Sequence, residues 1–447
     1  MLRYLQRNTK GKIIRIRTDI SVHALRQLIP KTNDEHNGII NPTPKTRVYA
    51  TSDIHGDSHL FTKILTKLTN LVTIVVDDDG KKWYQYNIQE KPFYFLIIGD
   101  IFDTIRDQNN PPNININNEK EILKIFNCLR VMSEQYDEGR FILCLGNHEV
   151  MNVMGDFRYA DGDPKIRRGE FWNPEGELIQ LLNMANPYGM VLIGKTIFVH
   201  GGISPTFLKK MSKVNLIENI NKTARQLVSL NKMRTTMDVE LEKLYKLIES
   251  NGHTSSQLTT LRKVMPKSLH KYLQHFMHRL NESDADLVEE YGALYRFVQK
   301  IQNPMEYNMF SSPFSIVWDR NLSSSTSIDP CGKARNALEM LKEYGVHADT
   351  FVMGHSPQYM RPRKDQMFRK VAEKTDNYIK YVIGDGRKTN DPVIMGLCKP
   401  LMIYAVDIGA AEGFKHLHNN TVKPQILSIE YDEDLQKHVS IRVALTI

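Results

Sequence analysis

Five apolar, β-branched runs each end in a glycine or polar turn, and their order along the chain sets the expected architecture. Val48-Tyr49-Ala50-Thr51-Ser52 runs into Asp53, Phe95-Leu96-Ile97-Ile98 into Gly99, and Phe141-Ile142-Leu143-Cys144-Leu145 into Gly146. Thr196-Ile197-Phe198-Val199 runs into His200 and Thr350-Phe351-Val352-Met353 into Gly354. Short apolar runs bounded by turn residues are what buried strands leave in a sequence. Each run predicts a strand that delivers its last residue to a loop, and the five strand ends are expected to converge on one cleft.

Between these runs the periodicity changes. His59 to Val72 and Glu119 to Tyr136 carry apolar residues at helical spacing, whereas Ile74 to Asn87 reads as a hairpin around Asp79-Gly80, a two-residue turn signal. Gln108 to Lys120, with Pro111-Pro112 and many asparagines, predicts a loop. Leu216 to Glu249 and Ser268 to Gln302 have long amphipathic periodicity and predict a helical insertion, a cap or lid. Strand texture resumes at Leu401 to Asp407, Gln425 to Tyr431 and His438 to Thr446. The chain thus divides into a basic N-terminal arm (1–45), the first half of a core domain (46–206), the helical insertion (207–310) and the second half of the core (311–447). Strands with intervening helices favour an α/β class in which two mixed sheets are flanked by helices.

Composition changes this picture in four places. The 447 residues exceed the roughly 250–300 at which single cores stop growing, which suits a large domain with additions. No apolar run approaches the roughly 18 residues of a membrane helix, and residues 1–12 lack the apolar stretch of a leader, so a soluble, intracellular and cytoplasmic protein is expected. Four cysteines, Cys128, Cys144, Cys331 and Cys398, are too few for a disulfide scaffold and read as reduced thiols. The net charge of +8 is concentrated at the start, where six basic and no acidic residues run through Arg17. Residues 1–47 are therefore a candidate surface for an anionic partner, nucleic acid or an acidic surface, with a solvated basic tail as the plainer reading.

The strand ends carry chemistry: Asp53-Ile54-His55-Gly56, Gly99-Asp100-Ile101-Phe102-Asp103, Gly146-Asn147-His148-Glu149, Val199-His200-Gly201-Gly202 and Gly354-His355-Ser356. Displacement at phosphorus needs a nucleophile at neutral pH and neutralisation of oxygen charge, which two cations ~3.5–4 Å apart supply. A donor list of carboxylate, imidazole and amide without thiolate suits Mn, Fe or Zn with open coordination positions. Other candidates have plainer readings. His275 and His278 fit a solvated helix face, and Trp83, Tyr84 and Tyr86 beside Lys81 and Lys82 fit hairpin packing better than a nucleic-acid face. His416 and His418 follow the predicted cleft segment and are a weaker candidate for substrate contact.

Longer strings make the reading specific: Gly146-Asn-His-Glu-Val-Met-Asn-Val-Met-Gly-Asp-Phe-Arg-Tyr159, Val199-His-Gly-Gly-Ile-Ser-Pro205, Val317-Trp-Asp-Arg320, Gly354-His-Ser-Pro-Gln358 and Val406-Asp-Ile-Gly409. On these the chain resembles the calcineurin-like metallophosphoesterases of the PPP protein-phosphatase type, and among them the Shewanella-like phosphatases, over roughly 46–206 and 311–415. The resemblance implies a metallophosphoesterase β-sandwich and a dinuclear metal site. Asp53 and His55 would hold the first metal, Asp100 would bridge both, and Asn147, His200 and His355 would hold the second. It further implies in-line attack by a hydroxide lying between the metals, with His148 as general acid oriented by Asp103 and with Asn147 and Arg320 on the substrate phosphate. A planar guanidinium can take two phosphate oxygens at once.

Two departures stand out: Thr104 follows Asp103 where the family has arginine, and Ser52 precedes Asp53 in place of glycine. Either Arg106 or Arg158 supplies the missing charge or the site binds phosphate less tightly; Arg158 is preferred because it lies in a matching string. The activity implied is hydrolysis of phosphomonoesters on Ser, Thr or Tyr side chains of a phosphoprotein. The alternatives are a phosphodiesterase or polyphosphatase acting on nucleotides or nucleic acid, and a non-catalytic scaffold that binds an anionic partner through its arm.

Overall fold

A computed structural model describes residues 5–29, 37–104, 115–136, 139–173, 175–229, 309–310, 312–322, 327–357, 369–383, 395–398, 402–407, 409–411, 414 and 422–445. The chain opens with β1 (Leu5–Arg7), β2 (Ile13–Ile16), α1 (Val22–Arg26) and β3 (Ile39–Ile40). Next come β4 (Arg47–Thr51), α2 (Ser58–Lys63, extended by a π turn through Leu68), β5 (Val72–Val76), β6 (Lys82–Tyr86) and β7 (Phe93–Ile98). After α3 (Ile116–Tyr136) follow β8 (Gly139–Cys144), α4 (Asn147–Val153), α5 (Pro164–Trp172), α6 (Glu177–Met184), β9 (Val191–Ile193) and β10 (Thr196–Phe198). Then come α7 (Pro205–Leu208), α8 (Leu216–Ser229), α9 (Pro330–Glu343), β11 (Thr350–Met353), β12 (Arg369–Lys374) and β13 (Tyr378–Ile383). The last strands are β14 (Met395–Leu397), β15 (Met402–Ala405), β16 (Gln425–Tyr431) and β17 (Lys437–Ala444).

Two mixed sheets carry the fold, in the orders β12-β13-β17-β16-β4-β7-β8 and β14-β15-β11-β10-β9-β3. Their facing surfaces bury Val48, Ala50, Leu96, Ile98, Ile142, Leu427, Ile429 and Ile441 against Val191, Ile193, Phe198, Val352 and Tyr404. Alternation within each strand explains the second core: Tyr49, Phe95, Ile97, Phe141 and Leu143 point to the other face and pack under the helices, with Leu65, Phe126 and Leu129. Each such fully buried side chain is worth about 1.5–3 kcal/mol of burial free energy. Across the sandwich the Tyr431 hydroxyl donates to the Ile193 carbonyl at 3.1 Å, and burial pushes that phenol up to about 12.

The feature that makes a site is the direction of six strands. β4, β7 and β8 run parallel in one sheet, and β10, β11 and β15 run parallel in the other. Loops leaving the carboxyl ends of neighbouring parallel strands meet along one rim, the usual place for a ligand in such sheets.

Several expectations change. Residues of the basic arm form strands: β1 and β2 pair with each other and, through β2, with β6 in a sheet of order β1-β2-β6-β5. Ile13, Ile16 and Leu5 are buried there, so apolar positions interleaved with the basic ones anchor the segment. Arg15 donates to Gln85 at 2.6 Å, and Arg17 pairs with Asp19 and lies over the Trp83 ring. Trp83, Tyr84 and Tyr86 are buried, as hairpin packing requires. The hairpin connection is wider than the two-residue signal suggests: β5 and β6 pair as far as Val76 with Lys82, and Asp77 closes the intervening loop by accepting from Lys81 N at 2.7 Å. The helix expected from Glu119 begins at Ile116.

Cys331 and Cys398 form a disulfide, correcting the expectation of four reduced thiols. Separation by 67 residues hid the pair, because folding, not spacing, brings their Cα atoms to 5.4 Å. Cys128 and Cys144 are free and buried. No helix among the described residues is long and apolar enough to cross a membrane. Of the expected insertion, α8 is described, and residues 230–308 lie outside the described residues, as do His275, His278, His416 and His418.

Candidate metal centre

The loops after β4, β7, β8, β10 and β11 bring Asp53, His55, Asp100, Asn147, His148, His200 and His355 together, and every one of them is buried. Their backbone is as unusual as their chemistry. Asp53 (φ 54°), His55 (47°), Asp100 (57°), Asp103 (69°) and His355 (66°) all adopt the left-handed region that side chains avoid. Each such residue costs of order 1–3 kcal/mol, held in place only by surrounding structure.

Two groups of ligand atoms, His55-Asp100-His148 and Asp100-His200-His355, each lie within 4.8 Å of one another, and Asp100 is common to both. The imidazole tautomers follow from their partners. His55 Nδ1 lies 2.9 Å from the Phe102 carbonyl and His200 Nδ1 2.7 Å from the Ile98 carbonyl. A carbonyl only accepts, so Nδ1 carries a proton and Nε2 is the nitrogen left facing the cleft, the orientation a metal-binding histidine needs. His200 Nε2 is 3.2 Å from Asp100 Oδ2 and 3.0 Å from Asn147 Oδ1, and His55 Nε2 is 3.8 Å from Asp53 Oδ1. Burial holds the His355 imidazole well below its ordinary pKa, helped by His200, Arg320 and His148, and so keeps it neutral.

The electrostatics ask for cations. Burial raises the Asp53 carboxyl well above its ordinary range, and Asp407 and Asp100 raise it further, against His200 and Ser52. Buried carboxylates are tolerated when they are paired or coordinate a metal. The donor set, the Nε2 atoms facing the cleft and the crowding of Asp53, Asp100 and Asp407 all fit bound metal cations. His355 Nε2 is at present the acceptor of Arg320 Nε at 2.9 Å, a bond that a cation on that nitrogen would exchange.

Glu149 organises the loops. Its carboxylate accepts backbone N–H groups from Asp100 (2.8 Å), Ile101 (2.7 Å), Phe102 (3.3 Å) and Gly146 (2.7 Å), so two of the five motifs are tied through one side chain. Burial and then Asp100 raise its pKa to about 7. Gly146 and Gly354 are required by contact, since a Cβ at the first would meet Asp100 Oδ1 and at the second Asp53 Oδ2.

Beside the candidate ligands lies an acid–base pair. His148 Nδ1 is 2.8 Å from Asp103 Oδ2, and His148 Nε2 is 3.9 Å from Asp100 Oδ2. By distance alone His148 belongs to the His55 group; with Nδ1 committed to Asp103, its Nε2 equally fits a proton donor. The Tyr159 ring meets His148 edge-on at 5.3 Å, Phe414 lies 5.3 Å from His55, and Trp318 stands edge-on to His355 at 5.7 Å.

Of the proposed phosphate contacts, Arg320 is at the site. Arg158 is exposed and bidentate with Asp156, with both bonds at 2.8 Å, and stacks over Tyr159. Thr104 is buried and Arg106 is outside the described residues. The structure also places residues that sequence reasoning had not assigned: Asp407 near Asp53, and Asn152, Arg167 and Glu119 behind Asp103. Asn152 is one helical turn from His148, a spacing that could have flagged it. Arg167 and Glu119 had no such signal.

A β-sandwich with this donor set at the carboxyl rim of both sheets defines a metal-dependent phosphoesterase. The calcineurin-like phosphoesterase signature matches residues 46–385, and the chain belongs to that family. An uncharacterized protein of Schizosaccharomyces pombe is 27% identical over 325 residues, 70% of this chain and 68% of that one. Shewanella-like protein phosphatase 1 of Plasmodium berghei is 28% identical over 198 residues, 41% of this chain and 45% of its own length. Among solved structures, the cold-active protein-tyrosine phosphatase of a psychrophilic Shewanella species has a TM-score of 0.44 at 16% identity, covering 92% of this chain and 85% of that one.

Proposed function

We propose that the chain is a dinuclear protein phosphatase that hydrolyses phosphomonoesters on Ser, Thr or Tyr side chains. The observation that carries this is the convergence of Asp53, His55, Asp100, Asn147, His200 and His355 on one buried locus with the His148–Asp103 pair beside it. The likeness to a Shewanella-like protein phosphatase supports a phosphoprotein over a nucleotide as substrate. Two bound ions, Mn, Fe or Zn, would supply an acidified water and neutralise phosphate charge.

The chain's own residues do the rest. Asp103 accepts from His148 Nδ1, which fixes the ring and leaves Nε2 to deliver a proton to the departing oxygen. Arg320 takes phosphate oxygens with two of its donors, Asn147 contributes its amide, and Arg158 is the candidate for the remaining phosphate contact once it exchanges its Asp156 pair.

The test is metal content measured together with turnover on a panel of phosphopeptides, a bis-nucleotide and DNA with Mn²⁺ added. Phosphopeptide turnover that Asp100→Asn abolishes is expected. Preferential turnover of the bis-nucleotide or DNA would replace the phosphatase reading with a phosphodiesterase one, and metal-independent turnover would end both.

A further inference from the structure

Asp103 has partners of its own. Its two carboxylate oxygens accept from Asn152 Nδ2 at 2.9 and 2.8 Å, and the same nitrogen donates to the His148 carbonyl at 2.9 Å. Asn152 Oδ1 accepts from Arg167 Nε at 2.6 Å. The Arg167 guanidinium also reaches Asp103 Oδ1 at 3.2 Å and Glu119 through both terminal nitrogens, while Glu119 accepts the backbone N–H of Asp103 at 2.9 Å. Phe102 and Phe171 cover the guanidinium at 5.6 and 5.1 Å, and Arg167, Asn152, Asp103 and Glu119 are all fully buried.

We propose that Arg167 is a positioning residue for proton delivery by His148, acting through Asn152 and Asp103. A guanidinium only donates, so the amide oxygen of Asn152 must face Arg167 and its NH₂ must face Asp103. That choice of amide orientation holds the Asp103 carboxylate where His148 Nδ1 meets it. Arg167 touches neither substrate nor metal ligand, and its five donors in a rigid fork satisfy three side chains on three different elements. A lysine, with one compact ammonium, keeps the charge but cannot bridge Asn152, Asp103 and Glu119 together. A purely structural ion pair would move the rate on every substrate alike, which a comparison of leaving groups reads directly.

The inference rests on the general-acid assignment of His148, and the experiment distinguishes failure of the one from failure of the other. Steady-state rates are measured on a phosphoserine peptide, whose alkoxide needs protonation, and on p-nitrophenyl phosphate, whose leaving group needs far less. Arg167→Lys is expected to lower kcat on the peptide at least ~10-fold more than on the aryl ester, with KM changed by less than about twofold. In a His148→Asn background the same substitution should add no leaving-group selectivity. Should Arg167→Lys fail to fold, judged by circular dichroism and Tm, Asn152→Ala removes the amide that donates to both Asp103 oxygens while leaving Arg167 on Glu119 and Asp103, and should reproduce the selective loss. Equal loss on both substrates, or added selectivity in the His148→Asn background, overturns the assignment of Arg167. Absence of selectivity in His148→Asn itself overturns the general-acid reading and this inference with it.

Discussion

Gly146→Ala isolates the geometric demand of the metal centre. Gly146 caps the start of α4 with φ −99° and ψ 178°, a conformation any residue adopts, so the substitution introduces no backbone strain. The added Cβ, however, would collide with Asp100 Oδ1 and the Asp100 backbone nitrogen. Asp100 must then move, and it is the carboxylate shared by both ligand groups. The N–H of residue 146 still reaches Glu149, so the loop keeps its main tie. Overpacking of this kind costs about 1–3 kcal/mol, a fall of a few degrees in Tm. Loss of a group that merely supports a ligand lowers metal affinity about 10–100-fold; displacing the shared ligand should cost ~100-fold or more. The assay is equilibrium dialysis against Mn²⁺ with metal counted per chain, alongside hydrolysis titrated with Mn²⁺. Gly169→Ala, where the new methyl meets nothing within 4 Å, is the control and should bind as the parent does. Parent-like metal affinity in Gly146→Ala would refute the placement of Asp100 as the shared ligand.

Two further outcomes are expected. Glu430 is held below its ordinary pKa because Arg47, Lys380 and Arg442 outweigh the opposing effect of burial. A carboxyl depressed on folding adds stability above its unfolded pKa and loses it as pH falls through the folded value; Glu430→Gln should therefore lower Tm at pH 7, by a margin that shrinks as pH falls below the ordinary carboxyl range and vanishes only under the depressed folded value. Burial raises the Cys144 thiol to about 12 and the Cys128 thiol further, so iodoacetamide at pH 8 should label neither in the folded protein, and mass spectrometry showing rapid labelling would contradict their burial.

Much of the site was legible because each ligand sits at the junction of two local signals, an apolar β run and a polar turn. Asp53, Asp100, Asn147, His200 and His355 could be placed at strand ends from that alone. What was not legible depends on contacts between segments with no shared period. Arg167 lies 64 residues from Asp103 and 48 from Glu119, on a helix whose sequence, Pro-Lys-Ile-Arg-Arg-Gly-Glu-Phe-Trp, looks like an ordinary charged surface. The basic arm misled for the opposite reason: charge dominates its composition, yet Leu5, Ile13 and Ile16 decide its fate by completing a sheet that only the distant hairpin makes available.

The two aspartates of the Gly99-to-Asp103 motif end in different electrostatic surroundings, and that difference assigns their chemistry. Asp103 meets a buried guanidinium and an amide, so its charge is compensated by the protein itself, and it can remain an anion facing His148 without any ion. Asp100 instead adds to the carboxylate crowding that raises Asp53 and Glu149, with the rings of His55 and His200 as its close side-chain neighbours. Under the proposed function, bound cations would compensate it. On that proposal, two aspartates three positions apart on one strand-end loop would thus divide metal binding from proton transfer, and both sit in left-handed backbone.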